Sequence, residues 1–193
     1  MLDKYDSFAD LIRHETPGAS YRIERCERAA SAVLIVAPHG GSIESGTSEL
    51  AALVAGEDHN LYIFEGLKPG GKHNGLHVTS HRFDDPDCVA LAARCSIVIA
   101  IHGCVGASRI YVGGLDSELG SMLAQSLNRA GFPATAHGHP YPGRHPLNIC
   151  NRGSRRRGVQ LEFSVDFREP PLLEEVAAVV RGALARYLAT NQP

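Results

Sequence analysis

Apolar positions along the 193-residue chain fall into short runs separated by glycine, proline and polar clusters, and the runs follow two periods. Residues 33–37 (VLIVA) and 96–101 (SIVIAI) are continuous and rich in β-branched side chains, which predicts strands buried on both faces, as in a parallel sheet. Residues 61–64 (LYIF) predict a third such strand. Residues 21–27 and 158–165 alternate instead. The first of these is expected to pair with the 33–37 strand through a turn at 28–31; in the second, Glu162 falls on the opposite face from Val159, Leu161 and Phe163. Shorter strands are expected over 76–79, 109–113 and 133–137. Between the strands, apolar residues recur at helical spacing: Phe8, Leu11 and Ile12; Leu50, Leu53 and Val54 behind a cap at Thr47 or Ser48; Val89, Leu91 and Ala92 after Pro86. Two longer helices are expected, one from a cap at Asp116 to a stop at Gly131, the other over 172–189. Strands alternating with helices predict an α/β fold, a single domain over residues 1–193 built on a mainly parallel twisted sheet with helices on both faces.

The carboxyl ends of such strands are where an open α/β sheet binds ligands. The 33–37 strand runs into PHGGSIE, which places His39 and Glu44 there, and the 96–101 strand runs into His102-Gly103. Two imidazoles and a carboxylate are the ligands catalytic zinc takes when one position stays open for water. A carboxylate not bound to the metal must then move the proton, and Glu162 suits that task, an acid in a strand otherwise apolar. The alternatives are a solvated turn in which Glu44 is an ordinary first-turn acid, and an exposed strand face for Glu162.

Composition is that of a globular chain, 44% hydrophobic and 21% charged, with a formal net charge of −2 that offers no general attraction to nucleic acid or to an anionic membrane. Ten histidines are the unusual feature. The five cysteines are odd in number and form no CxxC pair, so neither a disulfide framework nor a thiolate zinc knuckle is expected, and a reducing cytoplasm suits them. The first residues carry acids and no apolar run of signal-peptide length, so a cytoplasmic location is expected, with release by lysis open to it. Cys104 lacks a paired base and reads as a small buried filler.

APHGGSIESGTSEL, TSHRFDDP, IAIHGC and GVQLEFS, in this order and spacing, resemble the poly-γ-glutamate hydrolase family, zinc amidohydrolases of bacteria and their phages that are also labelled phage-related replication proteins. The likeness extends over roughly residues 20–190. It implies a fold related to zinc carboxypeptidases, cleavage of γ-glutamyl amide bonds, zinc held by His39, Glu44 and His102, and Glu162 as the catalytic base. Four residues separate His39 from Glu44, where the carboxypeptidase motif has two, so ligand geometry does not transfer from those enzymes.

A polyanionic substrate needs cations near the metal. Candidates are Arg82, Arg109, Arg152 beside Asn151, and the run Arg155, Arg156 and Arg157, with Arg152 favoured because it shortly precedes the Glu162 strand. His81 and Asp84, in the cluster with His77, are candidates to orient a zinc-bound histidine. His137, His139 and His145 lie in a proline-rich loop and are expected to be exposed. Two competing functions are a zinc deacylase of a small N-acyl amino acid, of the formylglutamate type, and a metal-free phage accessory protein that would use Arg152 to Arg157 on nucleic-acid phosphates.

Overall fold

The structure, a computed structural model, describes residues 3–71 and 75–191. Seven strands form one mixed sheet: β1 (Tyr21–Cys26), β2 (Val33–Gly41), β3 (Asn60–Gly66), β4 (Ile97–Gly103), β5 (Ile110–Gly114), β6 (Ala134–Thr135) and β7 (Val159–Phe163), in the spatial order β1-β3-β2-β4-β7-β5-β6. The central strands β3, β2, β4 and β7 are mutually parallel. β1 is antiparallel to β3, and β5 is antiparallel to β7.

Five helices cover the two faces: α1 (Phe8–His14), α2 (Thr47–Ala55), α3 (Pro86–Arg94), α4 (Ser117–Arg129) and α5 (Leu172–Thr190). Side-chain alternation decides which helix each strand residue meets. Val33, Ile35, Ile99, Ile101 and Leu161 point to the face where Leu50 and Val54 of α2, Leu123 of α4 and Val180 and Leu184 of α5 are buried. Leu34, Val36, Val98 and Ala100 point to the opposite face, where Phe8, Leu11 and Leu91 pack with Phe64 and Phe83. With both faces covered, the central strands are buried along their length, which is why their sequences are continuously apolar.

Three expectations are corrected. The 21–27 strand does not pair with the 33–37 strand: β2 has parallel neighbours on both sides, and β1 instead adds to the outer edge of β3, where Arg22 pairs with Glu65. Residues 76–79 form no strand, because their polar groups serve side chains instead of a ladder: the Val78 carbonyl accepts from His39 and the Thr79 N–H donates to Asp3. Neither Thr47 nor Ser48 caps α2; Gly46 takes the cap position in a left-handed conformation, and the two hydroxyls bond to the preceding turn. The cap at Asp116 is found, its Oδ1 accepting from Leu119 N, and α3 starts at Pro86 behind a cap at Asp85.

Chain order sets the location of the site. From β2 the chain passes through α2 to β3 on one side, then returns by way of α3, on the other face, to β4 on the opposite side of β2. The order therefore reverses between β2 and β4, and a crevice opens at their carboxyl ends.

Candidate active site

His39 comes from the end of β2, which continues through His-Gly-Gly instead of stopping at Ala37. The register with β3 slips by one residue between Ala37 and Gly40, a β-bulge. Strict alternation would send His39 after Val33, Ile35 and Ala37 to the α2 and α5 face; the extra residue reverses the alternation and turns the imidazole towards His102. His102 follows Val98 and Ala100 on its face of β4 and stands in register with Glu162 of β7. Gly41 permits the turn that follows: its φ is +60°, and a Cβ there would lie 2.5 Å from the Gly66 carbonyl oxygen. The turn brings Glu44 back beneath the two histidines, and Thr47 pins it by donating to the Glu44 carbonyl at 2.7 Å.

Nδ1 of His39 and Nδ1 of His102 are 3.1 Å apart. Glu44 Oε1 lies 3.5 Å from the first and Oε2 3.7 Å from the second. All three side chains are buried. Glu44 Oε2 also accepts from the Gly103 N–H at 2.7 Å, which ties the turn to the end of β4. Burial pushes the Glu44 carboxyl up, but the adjacent His39 and His102 rings more than offset this and hold it well below the usual carboxylate range.

These donors fit a zinc ion. Metal–ligand bonds of about 2.0–2.2 Å in a tetrahedron separate the ligand atoms by about 3.3–3.6 Å, close to the spacings found. The tautomers agree as well. The Val78 carbonyl can only accept, so the proton of a neutral His39 is on Nε2, 2.8 Å away, and Nδ1 carries the lone pair. His102 Nε2 is held by Ser80 Oγ at 3.2 Å. Outer partners of this kind orient metal-binding imidazoles. His77 offers a second grouping, with ligand atoms within 4.8 Å of those of His39 and Glu44. Its ring stacks on His39 with centroids 4.1 Å apart and its Nδ1 meets Asp3 at 2.7 Å; His102 is the expected third ligand and His77 the alternative one.

The site opens into a cavity of about 400 Å³ lined by the three residues above together with His77, Ser80, His81, the segment 140–145, Asn148, Gln160 and Glu162. Glu162 is 6% exposed, which removes the reading of an exposed strand face, and its Oε1 accepts from Gln160 Nε2 at 2.8 Å. Cys104 is buried, and burial, then the Glu162 charge, push its thiol up to about 11, a poor nucleophile at neutral pH.

Other sequence candidates lie elsewhere. Arg82, Arg109 and Arg152 are not among the lining residues; Arg82 faces Asp6, and Arg152 ends the short 3₁₀ turn Ile149–Arg152. Asn151 is buried and fully engaged by backbone: Oδ1 accepts from Leu115 N and Gly158 N, and Nδ2 donates to the carbonyls of Gly143 and His145. It clamps the lining loop and has nothing left for substrate. Asp84 accepts from Ala9 N at the start of α1 and, among the described residues, orients no site histidine. His81 lines the cavity but its ring lies tilted against that of His145, centroids 4.6 Å apart, leaving the orienting roles to Val78 and Ser80. Arg155 and Arg157 both face the buried Asp116. Among the described residues, the Lys or Arg that lines the cavity is Arg144, which the sequence does not single out because its loop is brought to the site by long-range bonds, those of Asn151 to Gly143 and His145 and of Gly114 N to Pro142.

Fold and site together define an α/β protein with a candidate mononuclear metal centre at the switch point of its sheet. The chain belongs to the poly-γ-glutamate hydrolase family, whose profile matches residues 5–177. It is 38% identical over 170 residues to the UPF0714 protein YndL of Bacillus subtilis (strain 168), a stretch covering 86% of this chain and 66% of that one, and a second Bacillus subtilis relative is matched over 60% of its length. The chain thus spans about two thirds or less of the length of these curated relatives. Among solved structures, a bacteriophage poly-γ-glutamate hydrolase superposes with a TM-score of 0.93 at 31% identity, over 98% of this chain and 100% of that one. An apo, zinc-free form of YNDL superposes with a TM-score of 0.83 at 32% identity, over 100% of both chains. No helix among the described residues is long and apolar enough to cross a membrane.

Proposed function

We propose that the chain is a zinc-dependent amidohydrolase that cleaves γ-glutamyl amide bonds, with poly-γ-glutamate as the substrate class. The observation that carries this reading is the convergence of His39 Nδ1, His102 Nδ1 and the Glu44 carboxylate at 3.1–3.7 Å, with the Glu162 carboxylate lining the same cavity. Zinc is supported further by the relative whose apo form is a zinc-free one, and the substrate class by the family.

His39, Glu44 and His102 would hold the ion, each fixed by a second contact, to Val78, Gly103 and Ser80 respectively. Zinc supplies Lewis acidity at such a site, polarising a carbonyl oxygen and making water acidic enough to attack near pH 7. Glu162 takes the proton from the attacking water and returns it to the departing amine, so that the amine leaves neutral. Gln160 holds the Glu162 carboxylate through Oε1. Arg144 meets a substrate carboxylate in the cavity, the role expected of Arg152. Arg155 and Arg157 share one carboxylate, that of Asp116, at 3.4 and 3.6 Å.

The test is Glu162→Gln, which keeps an oxygen able to accept from Gln160 while removing the proton acceptor. Zinc content should stay at that of the wild type while kcat on poly-γ-glutamate, followed as new amino groups, falls about 10²- to 10⁴-fold. His39→Ala should lose the metal. A Gln variant with nearly full activity, or a His39→Ala protein still holding stoichiometric zinc, overturns the assignment.

A further inference from the structure

Arg168 carries a charge that no described acidic group answers. It is 9% exposed, its Nε donates to the Phe163 carbonyl at 3.1 Å, and Nη1 donates to the Ser45 carbonyl; no ion pair involves it among the described residues. Two carbonyl dipoles do not cancel a full charge, and a cation removed from water is costly unless an anion meets it.

Arg168 lines a second cavity, of about 490 Å³, with Ser45, Gly103, Cys104, Val105 and Val165, and Glu44 lines both this cavity and the first. The approach is specific to glycine at 103: a Cβ there would lie 2.7 Å from Arg168 Cζ. The lip is apolar, with Val105 83% and Val165 46% exposed, although nothing described packs on them. Two acids also line this space. Glu44 is engaged by His39, His102 and the Gly103 N–H, and Glu169 is exposed. A buried donor fork beside apolar side chains, one residue from a proposed metal ligand, has the chemistry of a site for a carboxylate on an aliphatic stem.

We propose that this second cavity is a carboxylate subsite in which Arg168 receives one carboxylate of the substrate while its methylenes lie against Val105 and Val165. The inference rests on the hydrolase reading for the identity of the substrate, and it places acidic residues of the chain on both sides of Glu44, one towards Arg144 and one towards Arg168. A small acyl amino acid would fill only one of the two cavities.

The probe is glutarate, a dicarboxylate with no bond to hydrolyse, titrated calorimetrically into the zinc-loaded protein, with zinc content and poly-γ-glutamate hydrolysis measured on the same preparations. Two variants are compared with the wild type: Arg168→Gln, which removes the charge, and Val165→Trp, which fills the lip from an exposed position. Both should keep their zinc and weaken glutarate binding by about tenfold or more. Binding within about twofold of the wild type in Val165→Trp, or no binding by the wild type, overturns the subsite; should Arg168→Gln fail to fold or lose zinc, Val165→Trp decides alone. Weakened binding in a protein that cannot hydrolyse poly-γ-glutamate keeps the subsite and removes the hydrolase reading. Normal hydrolysis with unaltered glutarate binding in both variants does the reverse.

Discussion

Asn151 and Arg152 are adjacent, yet the structure gives them opposite weights. Asn151→Ala deletes four hydrogen bonds of 2.8–3.2 Å from a side chain that is 1% exposed. Each is worth about 0.5–1.5 kcal/mol net, and a buried group left without a partner costs about 1–3 kcal/mol. Of the four backbone groups released, Gly158 N is in a buried residue, whereas Leu115, Gly143 and His145 are in residues that water reaches. Counting one orphaned donor and three bonds partly restored by water gives a destabilisation of about 2–4 kcal/mol. The loss also loosens residues 143–145, whose segment then keeps the bonds of Gly114 N to Pro142 and of Asn148 N to His145, so Arg144 is less firmly placed and KM for a polyanionic substrate should rise. Arg152→Ala removes a half-buried side chain at the end of a short 3₁₀ turn and should change stability by no more than about 0.5 kcal/mol, with KM unaltered. Chemical denaturation of both variants, alongside kcat and KM on poly-γ-glutamate, separates the two roles. A stable Asn151→Ala protein together with a raised KM in Arg152→Ala would refute the reasoning and return Arg152 to the site.

Ser80→Ala leaves His102 Nε2 without its protein partner, and zinc affinity, measured against a competing chelator, should fall about 10- to 100-fold with the fold unchanged; equal affinity would mean that Ser80 does not orient the ring. Arg144→Ala should raise KM about five- to tenfold with little change in kcat, and the effect should shrink with added salt; a fall in kcat alone would give Arg144 a different task. Glu15 tests a buried acid that does not line the cavity. Burial pushes its carboxyl up, but hydrogen bonds from Lys68, Tyr5, Ser20 and Lys4 outweigh this and hold it at about 2 against an ordinary 4.5, so its contribution to stability is full above pH 4.5 and is lost as pH falls towards 2. Glu15→Gln should therefore lower the melting temperature at pH 6 and flatten its decline between about pH 4.5 and 2, the range the two pKa values span; parallel curves for variant and wild type would exclude the contribution.

Much of the architecture could be read from hydrophobic periodicity, because burial on both faces of β2 and β4 leaves no room for polar residues, and an apolar run ended by His-Gly marks the carboxyl end of a strand. The same patterns bring His39, Glu44, His102 and Glu162 to one cavity. The partner of β1 was not legible. Alternation reports that a strand has one wet face and says nothing of which edge it joins, and the pairing of β1 with β3 is set by β2 having both sides occupied. The choice of Arg144 over Arg152 was hidden for a similar reason: distance along the chain favoured Arg152, while position depends on the hydrogen bonds of Asn151 to a loop six to eight residues before it.

The bulge in β2 is the step on which the candidate site turns. In a regular strand His39 would share its face with Val33, Ile35 and Ala37, against α2 and α5, while His102 shares its face with Val98 and Ala100 on the opposite side of the sheet. Two imidazoles on opposite faces cannot bring their nitrogens to 3.1 Å. One additional residue between Ala37 and Gly40 resolves the conflict, and its position follows from the local sequence: Pro38 has no N–H to give to the ladder, and the glycines after His39 allow the backbone to turn. Parity also explains Glu162, which reaches the His102 face without any bulge because it stands directly in register with that histidine across β4 and β7. The proposed metal-ligand set thus depends on backbone register on one side and on one irregularity on the other, and the irregular side carries two of the three proposed ligands, His39 and Glu44.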